Sequence, residues 1–248
     1  MLSPVKPRAI AVDWSGALTG VRSKIWLAEA DGEGLTRLES GRSRDELVDH
    51  LIELSRSDPR FVVGLDFAFS LPQWFLETNG LTAAPQLWAL AAVKAEAWLK
   101  DCPSPFWGRN GVKKWKIEQQ FRRTETAVPA VSSIKPKSVF QVYGNGAVGT
   151  GTLRGLPQLK RLKDAGFSIW PFDQPGWPLV VEIHPQLLAK QTRKSSGKER
   201  AKASALAMVR DWDSLGKLTR TTDPMLQLEG IIWYPGWEKG LESSSTSG

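Results

Sequence analysis

Apolar positions near the amino terminus fall into short runs. Residues 9–13 (AIAVD), 24–30 (KIWLAEA) and 35–39 (LTRLE) read as three strands, separated by "SGALTGVRS" and "DGEG", both rich in turn residues. Short links of this kind favour an antiparallel meander. A helix is expected from Ser43, because Ser43 and Glu46 have capping-box spacing and Leu47, Leu51 and Leu54 recur on one face; "DPR" ends it. Residues 61–66 (FVVGLD) form a nearly continuous apolar run, as expected of a central strand covered on both faces. Like the first strand, it finishes at an aspartate.

Two helical stretches follow, 72–79 and 86–100. Residues 101–137, with four prolines and a run of cations, read as a long functional loop or partly ordered insertion. A strand at 138–143 (SVFQVY) leads into "GNGAVGTGTLRG" and a helix ending near Gly166. Strands are expected again at 167–172 and 179–183, the second closing on an acid in "PLVVEIHP", and the remainder is mostly helical to about Leu218. The pattern predicts one α/β domain over residues 8–237, with an insertion at about 72–137 and a disordered tail at 238–248 ending in "SSSTSG".

The repeated strand-end acid raises a chemical question. Asp13, Asp66 and Glu182 each stand where an apolar strand gives out, and carboxyl edges of strands are where α/β sheets bind ligands. Any one of them has an ordinary reading as a turn or helix cap. Carboxylates crowded together repel unless a divalent cation neutralises them. Oxygen-only ligation suits Mg2+ or Mn2+, which hold phosphate oxygens and activate water. Asp13, Asp66 and Glu182 are thus the expected metal ligands and catalytic acids.

Charge strengthens this picture. The net charge is +7, but residues 107–123 (Arg109, Lys113, Lys114, Lys116, Arg122, Arg123 against Glu118) and 190–202 (Lys190, Arg193, Lys194, Lys198, Arg200, Lys202 against Glu199) carry +5 each, leaving −3 elsewhere. Such blocks mark polyanion-binding surfaces, solvated loops being the alternative, and beside an acid cluster they point to a metal-dependent nuclease with nucleic acid as partner. Trp107 and Trp115 alternate with these cations and suit stacking on unpaired bases, or packing of the loop. Most of the other tryptophans stand in apolar contexts and read as core.

Further features refine the expectation. His184 could shuttle a proton or orient a phosphate, or be structural. Gly144, Gly146 and Gly149 match G-x-G-x-x-G between a strand and a helix, read here as a backbone nest for a phosphate helped by Arg154, or as a tight turn. Ser15 and Gly16 would let a phosphate approach Asp13. The single cysteine, Cys102, excludes an internal disulfide and fits a reducing compartment. No run of 18 apolar residues appears and "MLSPVKPRAI" lacks a signal-peptide core, so no membrane association and a cytoplasmic location are expected. Nothing in the pattern sets the oligomeric state.

The motifs "AVDWSGA", "VGLDFAFSLP", "QFRRTE", "KSVFQVYGNGAVGTGTLRGLPQLKRL", "WPFD" and "VVEIHP" resemble those of domain-of-unknown-function family 429, described as predicted ribonuclease H-like nucleases. The resemblance runs from about Ile10 to Trp237. It implies an α/β ribonuclease H-like fold with a mixed five-stranded central sheet and flanking helices, an acidic metal site including Asp13 and Asp66, and phosphodiester hydrolysis. It also implies late-helix acids, and in "SGKERAKASALAMVRDW" those positions hold Gly197 and Arg200. Glu199 or Glu182 then completes the site, or the protein binds nucleic acid without cleaving it. A third alternative is a nucleotide-using phosphotransferase or ATPase of the actin-like type, with Asp13 and Gly16 at the first strand turn.

Overall fold

A computed structural model of the chain describes residues 7–109, 111–114, 119–144, 146–189 and 195–245. The meander comprises β1 (Arg8–Asp13), β2 (Trp26–Asp31) and β3 (Gly34–Ser40), with α1 (Val21–Lys24) in the first link. Helix α2 (Arg44–Ser57) starts at the capping box, where Ser43 and Glu46 satisfy each other's backbone N–H groups, and returns the chain to β4 (Val62–Leu65). Helices α3 (Gln73–Thr78), α4 (Ala84–Asp101), α5 (Arg123–Val131) and α6 (Val148–Asp164) precede β5 (Ser168–Ile169) and β6 (Leu179–Ile183). Helices α7 (Pro185–Ala189), α8 (Gly197–Arg210), α9 (Trp212–Gly216) and α10 (Pro224–Glu229), strand β7 (Ile232–Trp233) and helix α11 (Trp237–Ser245) complete the chain.

The fold is α/β, with a mixed seven-stranded sheet and flanking helices. Parallel β1, β4 and β6 form its centre, β2 and β3 extend it antiparallel beyond β1, and β5 and β7 pair with opposite ends of the outer edge of β6. Residues alternate between its faces. Ile10, Val12, Val63, Leu65 and Val180 pack with Leu51 of α2, Trp88 of α4 and Leu156 of α6. Ala9, Ala11, Ala28, Val62 and Val181 pack with Ala201, Ala205 and Met208 of α8. Small residues on that face let α8 lie close: a Cβ at Gly64 would stand 2.8 Å from the Met208 sulfur.

Four elements depart from the sequence expectation. The run 138–143 is buried through Val139, Phe140 and Val142 but contributes only an isolated bridge, Gln141 to Trp107. Its Phe140 joins an aromatic cluster with Trp74, Phe75 and Phe106, so burial without sheet pairing explains its strand-like composition. The same cluster ties the expected insertion to the main core, and α5 forms inside it. The strand expected at 167–172 is reduced to two residues in β5, and β7 was not expected; with both, the sheet has seven strands where the resemblance implied five. The expected disordered tail is helical to Ser245 and pinned by Leu241, 7% exposed, and by Trp237 against Trp170.

Candidate functional site

Sheet register decides how the three acids meet. Val12, Leu65 and Glu182 are level on neighbouring parallel strands, and the Asp66 N–H donates to the Val12 carbonyl one step further on. Asp13 and Asp66 therefore share the α8 face, whereas Glu182 points to the opposite face. The acids converge at one sheet edge without forming a single oxygen cage.

Asp13, 3% exposed, is held by Arg200 of α8, whose Nε and Nη2 donate to its two carboxylate oxygens at 2.5 and 2.9 Å. The helix can approach this closely because residue 197 is glycine: a Cβ there would stand 2.6 Å from Asp13 Oδ2. Burial raises the Asp13 pKa, and the Arg200 hydrogen bonds and charge oppose that rise. Asp66 has no ion-pair partner among the described residues. Burial, then the Asp13 and Glu182 charges, push its carboxyl well above the ordinary range, with Arg200 opposing.

Glu182 is satisfied differently. It accepts from the Phe69 N–H at 2.8 Å and from both terminal nitrogens of fully buried Arg122, at 2.8 and 2.5 Å. Arg122 also reaches Glu125 and the Glu229 carbonyl. Burial works against its charge, and the Glu125 and Glu182 carboxylates more than offset that. Among the described residues no group of three His, Cys, Asp or Glu side chains is arranged to hold a metal ion. Asp13 and Glu182 would have to release their guanidinium groups to coordinate Mg2+ or Mn2+, so the expected metal ligand set is not formed by these residues as placed.

A cavity of about 850 Å³ opens beside this cluster. Asp66, Glu182, Arg122 and His184 are among its lining residues. His184 Nδ1 is enclosed with no hydrogen-bond partner, and burial, aided by the nearby Arg200 charge, lowers the imidazole pKa to about 4, leaving the ring neutral. The same cavity is lined by Lys135, Lys137, Gly144, Gly146 and the first residues of α6, which has no side-chain cap on its amino-terminal N–H groups. Gly144 and Gly146 have φ of 90° and 79°, the left-handed region that favours glycine. The stem of Lys137 runs past Gly146, 3.3 Å from where a Cβ would be. Lysines, left-handed glycines and an uncapped helix start are the groups that anion sites use.

Other residues named from the sequence are employed elsewhere. Gly16 lines the cavity, but its tightest constraint is packing: a Cβ would meet the backbone of Thr150 and Gly151 within 2.5 Å. Gly149 likewise meets the Val139 carbonyl at 2.1 Å and is a packing glycine rather than part of a nest. Ser15 Oγ accepts from the Ala17 N–H. Arg154 is spent on Glu96 and the Gly16 carbonyl, Arg123 on Asp223, and Arg109 on the Leu99 carbonyl. Glu199 turns back to cap its own helix through Ser196 and does not complete the acidic cluster. Lys113 and Lys114 are exposed, Trp107 is half-buried against the core, and Trp115 and Lys116 lie outside the described residues, as do residues 190–194.

Sequence reasoning missed Lys135 and Lys137, whose spacing in "SIKPKS" falls outside both counted basic blocks, and the pairing of Arg122 with Glu125 and Glu182. A buried arginine looks like a surface cation until its partners are placed. No protein-family model matches the sequence, and neither the curated proteins nor the solved structures contain a match. No helix among the described residues is long and apolar enough to cross a membrane.

Proposed function

We propose that the cavity receives the phosphodiester backbone of a nucleic acid and that the chain is a nuclease, hydrolysing that backbone with its own acid and base. One observation carries this reading: Lys135, Lys137, Gly144 and Gly146 line the same cavity as Asp66 and His184. Lys135, Lys137 and the turn at Gly144 and Gly146 hold the phosphate. Neutral His184 accepts a proton as water attacks phosphorus, and protonated Asp66 donates one to the departing oxygen as the P–O bond breaks. Because Asp13 and Glu182 hold arginines, no step is assigned to a metal. We also read the architecture as ribonuclease H-like, supported by antiparallel β2 and β3 beside parallel β1 and β4 and by the two strand-end aspartates.

A second reading, binding without cleavage, is favoured by the Arg200–Asp13 and Arg122–Glu182 pairs, which neutralise acids that a metal-dependent nuclease keeps free. The two are separated with end-labelled single- and double-stranded DNA and RNA, each incubated with the full chain in EDTA, Mg2+ or Mn2+. Cleavage in EDTA that disappears in Asp66→Asn and His184→Gln, with binding retained, supports hydrolysis by the protein's own groups. Cleavage only with metal shows that Arg200 yields Asp13 to a cation. Salt-sensitive binding with no product under any condition supports the second reading, and absence of binding removes both.

A further inference from the structure

The aromatic contact for a nucleic acid was expected from tryptophans inside the basic block, yet Trp107 is half-buried against the core. The exposed ring nearby belongs to Tyr143, which is 62% exposed and one of only two tyrosines in the chain. Its backbone is clamped. Trp107 and its neighbours pair with Phe140 and Val142 through N–H···O bonds of 3.0 Å in both directions, and Gln141 Nε2 donates to the Tyr143 carbonyl at 3.3 Å. Gly108, with φ of 101°, lies so close that a Cβ would stand 2.7 Å from that carbonyl oxygen. A large apolar ring is thus presented to solvent from a fixed main chain, at low cost in ordering when it is covered.

Two pairs of exposed lysines belong to the segments that meet at Tyr143. Gly108 N–H donates to the Val112 carbonyl, which brings the exposed Lys113 and Lys114 back beside the segment that carries Tyr143. Gly144 follows Tyr143 in the chain and lines the cavity together with Gly146 and the exposed Lys135 and Lys137. Val148, 40% exposed, adds an apolar contact at the same mouth. A base on Tyr143 would therefore place its phosphate at the glycine turn and Lys137, with the next nucleotide inside the cavity. An aromatic face among lysines suits an unpaired base, whose faces are free. Internal base pairs of a duplex are already stacked and offer the ring nothing.

We infer that Tyr143, next in the chain to the cavity-lining Gly144, is a base-stacking platform beside the cavity and that the ligand is single-stranded nucleic acid. This rests on the reading of the cavity as a phosphodiester site and names its substrate class.

The test is fluorescence anisotropy of fluorescein-labelled oligo(dT) and oligo(U) with the full-length chain at fixed salt, with relaxed closed-circular duplex DNA as competitor. Single strands bind and the circular duplex competes poorly per nucleotide. Tyr143→Ala weakens single-strand binding by about tenfold or more, Tyr143→Phe stays within about twofold of wild type, and the thermal midpoints of both variants match wild type. Lys135→Ala/Lys137→Ala weakens binding and lowers the salt slope by about 1.4. If the lysine variant loses affinity while Tyr143→Ala does not, the platform is refuted and the phosphate wall stands. Equal competition by circular duplex refutes the single-strand assignment. If no nucleic acid binds the wild-type chain, the cavity reading falls together with the platform.

Discussion

Replacing Arg200 with methionine keeps length and apolar stem but removes the charge opposite Asp13. Asp13 is 3% exposed, and the Arg200 side chain is 31% exposed. Stripping one partner from a buried ion pair costs about 3–5 kcal/mol; the partial exposure of Arg200 places this case near 3 kcal/mol at pH 7. Asp13 then loses both contributions that oppose its raised pKa, so its carboxyl takes up a proton in the folded state at pH values where the unfolded chain remains ionised. A folded state that binds more protons than the unfolded state gains stability as pH falls, at about 1.4 kcal/mol per pH unit for one proton. The deficit of Arg200→Met relative to wild type should therefore shrink by roughly 1–2 kcal/mol between pH 7 and pH 5. Urea unfolding of wild type, Arg200→Met, Asp13→Asn and the double variant at both pH values closes the cycle. Asp13→Asn should cost only about 1 kcal/mol, because Arg200 can turn to water, and the double variant should recover part of the Arg200→Met loss. A coupling energy below about 0.5 kcal/mol at pH 7, or a deficit that grows on acidification, would refute the assignment of Arg200 as the counter-charge of Asp13.

Two further outcomes are expected. His184 has a folded pKa of about 4 against an ordinary 6.5, so its contribution is complete above pH 6.5 and is lost as pH falls from there through 4; wild type should lose about 2 kcal/mol more than His184→Gln between pH 7.5 and pH 5 in urea melts, and parallel curves would contradict the enclosed neutral imidazole. Gly197→Ala drives a Cβ to 2.6 Å from Asp13 Oδ2 and 3.0 Å from the Trp26 ring, so it should destabilise by about 1–3 kcal/mol, whereas Gly216→Ala, with open space around it, should be neutral or stabilising in the same thermal scan.

What the sequence made legible follows from which interactions are local. The Ser43–Glu46 box, the leucine spacing of α2 and the apolar run of β4 are read within one or two turns of chain, and each element appeared where the pattern put it. The 138–143 run failed because apolar alternation reports burial, and an aromatic cluster can bury Phe140 as well as a sheet can. The tail failed for the opposite reason: its serines suggested solvent, while Leu241 and Trp237 attach it to α5 and Trp170. At the site, the sequence brought Asp13, Asp66 and Glu182 to one edge but could not give the pleat, which sends Glu182 to the opposite face from the two aspartates. It named Gly197 and Arg200 as the late-helix residues without fixing that both press directly on Asp13.

That contact changes what the acidic cluster means. Three crowded carboxylates require compensating positive charge, and a divalent cation is only one way to supply it. Here each face brings an arginine from a distant segment: Arg200 to Asp13 across α8, and Arg122 to Glu182 from the start of α5. Both are held in bidentate or branched geometry that lysine could not reproduce. The one acid of the three left without such a partner, Asp66, has its pKa raised well above the ordinary carboxylate range, and it lines the cavity together with Lys135 and Lys137. Charge compensation from within the chain thus relieves carboxylate repulsion without a metal, in a cavity also lined by a neutral imidazole and two lysines. Reversing it should be possible in one step. In Arg200→Ala the unpaired Asp13 stands beside Asp66, and added Mn2+ should raise the thermal midpoint of that variant while leaving wild type unchanged; an identical response in both proteins would show that Arg200 does not occupy the cation position.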